Sequence, residues 1–477
     1  MINIVRIEKH DNYLSIFVNH PIHSKLRWQS NDGHTVYPEN CSKVLDLLKI
    51  NFDINKYKKG KYQLVNDEAY NINISEENRF RNQQYIQQDE DVLIYLNLNT
   101  LEKFKFQMNK IFNFKDKKLK TGAKIRILYW LTKPFFIRKN IILFGERQDT
   151  MSDNSSYLFF NYFNKKYKSG YYLFINETAE NVLKINTFKH ILYFLNSKVC
   201  VNAYDIERYM TFQGYGKRGL LETFGDILSY KKVFLQHGVF YNDISNYIDK
   251  NKIHFDLVVV STEHEKNFLI QHHYKCDEIV TSGLPRFNKL IDKSESIGAI
   301  DILIMPTWRS YITCEKEFLQ SDYFKMYQHL LNQLIENHPD KRIVFFQHYE
   351  FKKYNKYFSN INVEIREDND EIPELLMHAK VLITDYSSVL FDFNVMNKNV
   401  FLYQFDKDIF FDRHTKKPLI DFEQYSHFIK ISNADEVSFS TVCKMNASAS
   451  EHQLIKYKPD DEALYQLCDR IINLAKK

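Results

Sequence analysis

Two histidines and a hydroxyl-rich turn each follow an apolar run of strand length, and their residue types suit chemistry. Ligands of open parallel sheets bind outside the carboxyl ends of the strands, so side chains at those ends are candidates for a site. An imidazole has a near-neutral pKa, which suits removal of a proton from a hydroxyl group. The segments are Gln236-His237-Gly238 after residues 232–235, Gln347-His348-Tyr349 after residues 342–346, and Thr384-Asp385-Tyr386-Ser387-Ser388 after residues 380–383.

The position of His237 at a strand end favours it as a general base. Gly238 follows it and would let the backbone turn tightly away while the imidazole projects into a cleft. His348 is the second candidate, either for proton transfer or as a ligand for phosphate. The turn from Thr384 to Ser388 offers hydroxyls and backbone N–H groups at a helix start, which is a ready anion site. Ordinary N-capping by Ser387 would use the same geometry.

Other motifs are rejected on their context. Residues 214–219 match the dinucleotide-binding pattern G-x-G-x-x-G. No clear strand precedes them, and no acidic residue that could bind a ribose follows about twenty positions on, so we reject a dinucleotide site. They are interpreted as a basic loop beside an anionic acceptor or as a plain surface loop. Neither a P-loop nor H-E-x-x-H occurs. No Cys or His pair has zinc spacing, so we predict no metal and no cofactor. The cysteines are predicted to be reduced and buried, at positions Cys41, Cys200, Cys276, Cys314, Cys443 and Cys468.

The elements that must position these residues begin near residue 140. From there, continuous apolar runs of strand length alternate with helix-length segments, a pattern typical of parallel sheets covered on both faces. A polar linker at residues 289–298 divides the runs into two series. We therefore predict an α/β protein in which two Rossmann-like domains, residues 140–288 and 299–477, face one cleft.

The first 139 residues have a different texture. Residues 1–100 contain short alternating runs separated by Asn, Asp and Gly, which predicts a small strand-rich module that serves either recognition or folding and docking. Between Glu102 and residue 139, twelve Lys or Arg residues stand against one acid, Asp116, with aromatic residues among them. This segment, residues 101–139, suits contact with an anionic membrane face, and a solvated linker or inter-domain helix is the alternative.

Composition excludes several classes of protein. Of the 477 residues, 44% are hydrophobic and 26% charged, which excludes a wholly disordered, collagenous or disulfide-scaffold chain. A net charge of +5 over this length excludes wholesale nucleic-acid binding. The first ten residues lack the apolar core of a signal peptide, and no run reaches the ~18 apolar residues of a membrane span. We expect a cytoplasmic protein, peripheral on the inner face of the membrane.

Several short motifs, taken together and in this order, resemble the CDP-glycerol glycerophosphotransferase family, the bacterial polymerases and primases of teichoic acid and capsule polyol phosphates. The resemblance covers residues 140–430 and implies a GT-B fold, with residues 140–288 as the acceptor domain and residues 299–477 as the donor domain that binds a CDP-polyol. It also implies transfer of polyol phosphate to a hydroxyl of a lipid-linked acceptor. The motifs are Arg147 with Asp153-Asn154, Gln236-His237-Gly238, Ser282-Gly283-Leu284-Pro285-Arg286-Phe287, Met305-Pro306-Thr307-Trp308-Arg309, Gln347-His348-Tyr349 and Thr384-Asp385-Tyr386-Ser387-Ser388.

The resemblance also implies roles. His237 would be the base and His348 the second essential histidine, at the donor phosphates. Thr384, Ser387 and Ser388 would hold the pyrophosphate, Arg309 would help neutralise it, and Asp385 would orient His348 or a donor hydroxyl. Arg147, Asp153, Asn154, Gln236 and Gly238 fall on the acceptor side. The chain departs from the commoner pattern in Gln236 and Val239, where many members have Trp and Thr, and in Asn288, where an acid is often found.

The predicted reaction is attack of an acceptor hydroxyl, deprotonated by His237, on the β-phosphorus of a CDP-polyol, with release of CMP. Two rivals from other classes stay open: a sugar-nucleotide glycosyltransferase of envelope polysaccharide synthesis and a non-catalytic scaffold that binds envelope polymer. Glycerol or ribitol as the polyol, a primase or a polymerase, the acceptor and the oligomeric state are also open.

Overall fold

A computed structural model describes most of the two α/β lobes and parts of the N-terminal module. The described residues are 2–9, 13–18, 26–30, 32–44, 47–58, 60–65, 72–74, 85–88, 91–96, 117–148, 151–176, 179–212, 220, 224–225, 227–250, 253–367, 372–414, 420–422, 425, 428–431 and 454–476. The basic glycine motif at 214–219 and the first part of the basic aromatic segment, residues 101–116, lie outside them.

The N-terminal module consists of two five-stranded sheets, as the alternating pattern predicts. Strand orders are β5-β6-β2-β1-β8 and β4-β3-β7-β10-β9. One apolar cluster joins both sheets, with the Trp28 ring of one sheet 6.3 Å from the Phe52 ring of the other. The strands are β1 Ile2–Lys9, β2 Tyr13–Val18, β3 Arg27–Ser30, β4 Thr35–Val36, β5 Asn40–Val44, β6 Leu47–Asp53, β7 Gly60–Val65, β8 Ile72–Ile74, β9 Tyr85–Gln88 and β10 Asp91–Leu96.

The first lobe is a seven-stranded, wholly parallel sheet in the order β13-β12-β11-β14-β15-β16-β17. Its strands are β11 Ile142–Gly145, β12 Gly170–Phe174, β13 Val182–Lys184, β14 Val199–Asn202, β15 Lys231–Phe234, β16 Leu257–Val259 and β17 Ile279–Val280. The helices around it are α1 Lys117–Phe136, α2 Asn154–Leu158, α3 Asn164–Lys166, α4 Phe188–Leu195, α5 Ile206–Tyr209, α6 Ser245–Ile248 and α7 Glu263–Gln271, with a π-helical turn at Phe159–Phe163. Every residue of β11 and β14 is buried, which explains their continuous apolar runs.

The second lobe repeats the architecture with six parallel strands in the order β20-β19-β18-β21-β22-β23. The strands are β18 Ile300–Met305, β19 Ile343–Phe345, β20 Glu364–Ile365, β21 Ala379–Thr384, β22 Val400–Tyr403 and β23 Phe428–Ile431. Its helices are α8 Glu315–Gln320, α9 Asp322–Asn337, α10 Ile372–His378, α11 Val389–Asn394 and α12 Lys407–Arg413. The two Rossmann-like lobes confirm the predicted α/β class.

The last helix, α13 (Asp461–Lys476), falls within residues 299–477, the range predicted as the second Rossmann-like domain. It returns to the first lobe, where Tyr162 donates a 2.6 Å hydrogen bond to Asp461 and Lys166 a 2.6 Å bond to Asp469. The preceding chain crosses over Gly283, which adopts a φ of +79°; a Cβ there would lie 2.2 Å from the Tyr457 carbonyl oxygen. The buried side chains of α13 include Leu464, Leu467 and Ile471, so burial of apolar surface also holds this helix in place.

The cysteine prediction was wrong in part. Cys200 and Cys468 are buried, but Cys41, Cys276 and Cys314 are exposed. Each is a free thiol. Among the described helices, none is both long and apolar enough to cross a bilayer.

Candidate active site

The two sheets bring their carboxyl ends to a common cleft. In each lobe the strand order reverses direction beside the first strand, between β11 and β14 and between β18 and β21, and ligands of such sheets bind at this switch point. The candidate residues all follow strands at these ends. Arg147, Asp153 and Asn154 follow β11, and residues 236–238 follow β15; Arg309 follows β18, His348 follows β19, and residues 384–388 follow β21 at its end.

The turn that carries His237 is set by Gln236, not by Gly238. Gln236 adopts a left-handed φ of 61°, which is uncommon for a residue with a side chain. The strain is held by hydrogen bonds: its carbonyl accepts from Asn154 Nδ2 at 2.8 Å, and its side-chain amide donates to the Val259 carbonyl. This corrects the expectation that Gly238 makes the turn. Asn154, placed on the acceptor side, acts here as a brace for the loop.

His237 projects from this turn as an accessible but crowded imidazole. Its ring stacks on Tyr204 with centroids 4.8 Å apart and planes inclined by 12°. Desolvation by the surrounding atoms lowers the pKa of His237, with Asp153 opposing and Arg286 reinforcing the shift. The backbone of Ala203 opposes the shift as well, by less than Asp153 does. The imidazole is therefore neutral and able to accept a proton near pH 7.

Gly238 brings the two lobes into direct contact. A Cβ at this position would lie 3.1 Å from Ser388 Oγ and 3.3 Å from Ser388 Cβ, closer than ordinary contacts. Ser387 and Ser388 stand where α11 begins, and the Ser388 hydroxyl makes no capping hydrogen bond. The base loop of the first lobe thus touches the hydroxyl turn of the second.

His348 occupies a second meeting point of the lobes. Its ring is stacked on Trp308 with centroids 5.9 Å apart, and lies 4.4 Å from the Tyr349 ring. The guanidinium carbon of Arg147, from the first lobe, lies 6.0 Å from the centroid of that Tyr349 ring. Burial is the main cause that lowers the pKa of His348 to about 4, so this imidazole is also neutral near pH 7. It would meet a phosphate as an N–H donor rather than as a cation.

Three residues predicted on the donor side, Arg309, Asp385 and Thr384, are buried in the second lobe. The Arg309 guanidinium is fully buried, with Nε 2.7 Å from Asp406 Oδ2 and Nη2 3.0 Å from Asp406 Oδ1. Its Nη1 lies 3.0 Å from Asp385 Oδ2. Asp385 also accepts from Tyr327, and the Thr384 hydroxyl donates to the Met305 carbonyl at 2.6 Å. This geometry favours positioning roles for Arg309, Asp385 and Thr384, because their polar atoms are engaged away from the cleft.

Two functional candidates escaped the sequence analysis. Glu146 is buried beneath the acceptor side, where its carboxylate accepts from the backbone N–H groups of Ser152, Asp153 and Ser156. Burial, reinforced by the charge of Asp153, raises its pKa. Thr307 has a buried hydroxyl with no hydrogen-bond partner among the described residues, while its N–H donates to Asp385. Its place in the Met305–Arg309 motif was the available signal.

A further missed residue is Arg286, which spans the cleft. Its side chain donates to Asp392 in the second lobe and to Asp153 and the His237 carbonyl in the first. Within the part of the chain that the structure describes, no group of three or more His, Cys, Asp or Glu side chains has the geometry to hold a metal ion.

Comparison with a family model covers most of the two lobes. The family model described as CDP-Glycerol:Poly(glycerophosphate) glycerophosphotransferase matches residues 127–436, more than half of the chain. The chain belongs to this family. The matched range includes every candidate residue of the cleft, from Arg147 to Ser388, and the family assignment confirms the resemblance seen in the sequence.

Curated relatives of this glycerophosphotransferase family member act in teichoic acid synthesis. The minor teichoic acid biosynthesis protein GgaB of Bacillus subtilis (strain 168) is 30% identical over 368 residues, which cover 67% of this chain and 40% of GgaB. The teichoic acid glycerol-phosphate primase of the same strain is 30% identical over 128 residues, 25% of this chain and 29% of the primase. The chain therefore spans well under half the length of these relatives.

Solved structures of the wall teichoic acid polymerase TagF share the fold. Two of them match with TM-scores of 0.60 and 0.58 at 16% identity, covering 80% of this chain and 99% of the TagF chain. At that identity the likeness concerns the fold alone.

Proposed function

We propose that this chain transfers a polyol phosphate, glycerol phosphate or ribitol phosphate, from a CDP-polyol to a hydroxyl of a lipid-linked acceptor and releases CMP. The observation that carries the proposal is the contact of the base loop with the hydroxyl turn, where Gly238 leaves room for Ser388. A reaction between two substrates needs such a junction, because an acceptor held by one lobe must meet a donor held by the other. Family membership and a TagF structure determined after a soak with CDPG support a CDP-polyol as donor.

In the proposed reaction, His237 takes the proton of the acceptor hydroxyl, and that oxygen forms a bond to the β-phosphorus of the donor. The bond from this phosphorus to the bridging oxygen breaks, and the electron pair leaves with CMP. Neutral imidazole is the required starting state of His237, and its lowered pKa supplies that state near pH 7. Ser387, Ser388 and His348 would donate hydrogen bonds to the phosphoryl oxygens, where charge accumulates.

The buried network behind the turn would support these donors. Asp385 accepts from the backbone N–H groups of Thr307 and Tyr386 at 2.8 and 2.6 Å, and so fixes the ends of β18 and β21 relative to each other. On the acceptor side, Asp153, Asn154 and Gln236 hold the base loop, and Arg147 lies beside Tyr349 at the cleft mouth. Arg147 is the residue of this set that we assign to the acceptor phosphates.

The test is nucleotide release with a panel of donors. Purified protein is incubated with CDP-glycerol, CDP-ribitol or UDP-sugars and a lipid-linked glycerol phosphate acceptor, and CMP and UDP are measured. We expect CMP from a CDP-polyol and a loss of about 100- to 10,000-fold for His237→Ala, the usual contribution of a general base. His329, exposed on α9, provides the matched control, and His329→Ala should keep the full rate.

Each alternative has its own outcome in this assay. Release of UDP but not CMP would identify a glycosyltransferase and refute the proposal. Binding of polymer or vesicles without turnover of any nucleotide would identify a scaffold protein. A normally folded His237→Ala protein with an unchanged rate would remove the base from the mechanism.

We also propose that α1 rests on an anionic membrane face, where a lipid-linked acceptor would be reached. One side of the helix is packed against the first lobe through Tyr129 and Trp130. The opposite side presents Ile127, Leu131 and Phe135, spaced by four residues, with Leu131 68% and Phe135 75% exposed. The exposed cations of Lys124, Arg138 and Lys139 lie on the same helix or just after it. An anionic bilayer would bury the apolar side chains of this surface and attract its cations.

Vesicle flotation tests the membrane proposal. Removing one large apolar contact costs about 1.5–3 kcal/mol, so Leu131→Glu and Phe135→Glu should each weaken binding to phosphatidylglycerol vesicles by about 10- to 100-fold. Ile297 is a fully exposed apolar residue on the inter-lobe linker, more exposed than Leu131 or Phe135, and Ile297→Glu is the control. Equal binding of all three variants, or no preference over phosphatidylcholine, would refute the proposal.

A further inference from the structure

Arg286 makes contacts with both lobes that no surface arginine needs. Its Nε and Nη2 lie 2.8 Å from the two carboxylate oxygens of Asp392, a bidentate contact in the second lobe. Its Nη1 lies 2.8 Å from Asp153 Oδ1 and 2.7 Å from the His237 carbonyl oxygen, both in the first lobe. Planar guanidinium groups fix geometry in this way because their donors point in set directions.

The backbone of Arg286 is held as firmly as its side chain. Its N–H donates to Asn154 Oδ1 at 2.9 Å, and Asn154 in turn donates to the Gln236 carbonyl. The residue therefore contacts the base loop at two consecutive carbonyls, one directly at His237 and one through Asn154 at Gln236. Asp392 lies in α11, the helix that begins at the Ser387-Ser388 turn. One side chain thus joins the base loop to the helix of the hydroxyl turn.

We propose that Arg286 is a positioning residue that holds His237 in register with the Ser387-Ser388 turn by binding both lobes at once. The inference rests on the proposed transfer reaction, in which the acceptor oxygen must lie between base and phosphorus. A displacement of about 1 Å at such a junction can cost about 100-fold in rate. A loss of the bridge should therefore lower kcat. KM for the donor should change little, because the Arg286 guanidinium is engaged by Asp392, Asp153 and the His237 carbonyl.

The charges around His237 give the proposal a signature that a folding role lacks. The imidazole faces Tyr204, Asp153 and Arg286, with Glu146 behind Asp153 and Asp392 behind Arg286. The positive charge of Arg286 lowers the pKa of His237, and Asp153 raises it. Removing the cation leaves Asp153 uncompensated, which raises the pKa of His237. Removing the Asp392 charge leaves the cation less compensated, which lowers it.

The experiment compares Arg286→Met, Arg286→Lys and Asp392→Asn in the full chain, with kcat and kcat/KM for CMP release measured from pH 5 to 9. We expect a fall of about 100-fold in kcat for the arginine variants, from the lost register. The acidic limb of kcat/KM should move to higher pH in Arg286→Met and to lower pH in Asp392→Asn. Arg286→Lys keeps the charge without the bidentate geometry, so its rate should fall without a shift of the limb.

Arg342 provides the control, since it makes a similar bidentate contact to Glu364 within one lobe. Arg342→Met should keep both rate and pH profile. If Arg286→Met fails to fold, the isosteric Asp392→Asn decides the question. The inference is wrong if the wild type releases CMP and the kcat values of the variants lie within twofold of it. It is also wrong if the acidic limbs of kcat/KM in Arg286→Met and Asp392→Asn move in the same direction. A wild type that releases no CMP from any CDP-polyol refutes the proposed function instead.

Discussion

Replacement of Arg309 tests whether this arginine supports the fold or binds donor phosphate. Its guanidinium is fully buried between Asp406 and Asp385, and the Tyr386 hydroxyl donates to the same Asp406 carboxylate at 3.0 Å. Arg309→Met fills similar space but leaves two buried carboxylates without their cation. Loss of one partner of a buried ion pair costs about 3–5 kcal/mol. At about 2–4 °C per kcal/mol for a domain of this size, the melting temperature should fall by roughly 6–20 °C.

The assay is thermal unfolding followed by circular dichroism, with and without CDP-glycerol. Arg342→Met is again the matched control, because its pair with Glu364 is about one third exposed. Exposed pairs contribute about 0–1 kcal/mol, so this variant should melt within about 4 °C of wild type. Both variants replace the arginine of an ion pair with Met, so the difference between their melting temperatures measures the effect of burying the pair.

Asp406→Asn separates the two interpretations of Arg309. If the arginine is structural, loss of this partner destabilises the second lobe as well. If the arginine binds phosphate, a weaker carboxylate partner frees the guanidinium and strengthens the stabilisation by CDP-glycerol. An Arg309→Met protein that melts within about 2 °C of wild type but is no longer stabilised by CDP-glycerol would refute the structural assignment.

Three further predictions follow from single contacts. His190 is buried, with Nε2 3.0 Å from the Met210 carbonyl oxygen, and burial lowers its pKa to about 4. Below about pH 6.5 the unfolded chain binds a proton at this histidine that the folded chain does not bind. Denaturant titrations should therefore show the free energy of unfolding falling by about 2 kcal/mol from pH 8 to pH 5, and by less in His190→Gln. Thr307→Val removes an unpartnered buried hydroxyl, so the melting temperature should hold or rise. Donor KM should increase about tenfold if this hydroxyl binds the donor, about 1.4 kcal/mol, and an unchanged KM contradicts that role. Gly238→Ala places a Cβ 3.1 Å from Ser388 Oγ. The value of kcat should fall about tenfold, while the melting temperature changes by only a few degrees. An unchanged rate would show that the lobes are not in contact during turnover.

The central strands of both lobes were predictable because burial on both faces leaves a continuous apolar run. The predicted run at residues 380–383 lies within β21, Ala379–Thr384, and the run at residues 342–346 contains β19, Ile343–Phe345. The strands that the sequence did not reveal are β13, β17, β20 and β23, of two to four residues, among them both edges of each sheet. An edge strand is short and partly solvated, so its residues need not be uniformly apolar. The pattern therefore reports the centre of a sheet better than its edges.

The site divides in a similar way between local and distant information. The position of His237 at a strand end is a local property, and the sequence located it. The partners of Arg309 and Arg286 are not local, since Asp406 is 97 residues from the first and Asp392 is 106 residues from the second. Spacing along one chain cannot tell an arginine that meets a phosphate from one that meets a distant carboxylate. For the same reason, the sequence suggested that Gly238 allows a tight turn, and it could not reveal that Gly238 lies beside Ser388.

Arg286 and Arg309 are each outnumbered by acids, which bears on how an anionic donor would be bound. Arg286 faces Asp153 and Asp392, and Arg309 faces Asp385 and Asp406, so each group carries one formal positive charge against two negative ones. Neither cluster of one arginine and two aspartates therefore has net positive charge with which to attract the pyrophosphate. His237 and His348 both have lowered pKa values and are neutral near pH 7. Charge at the transferred phosphoryl group would therefore be met by fixed N–H and O–H dipoles. Dipoles held by a rigid scaffold stabilise a transition state without rearranging, so the buried ion pairs would serve the proposed reaction by keeping those donors in place.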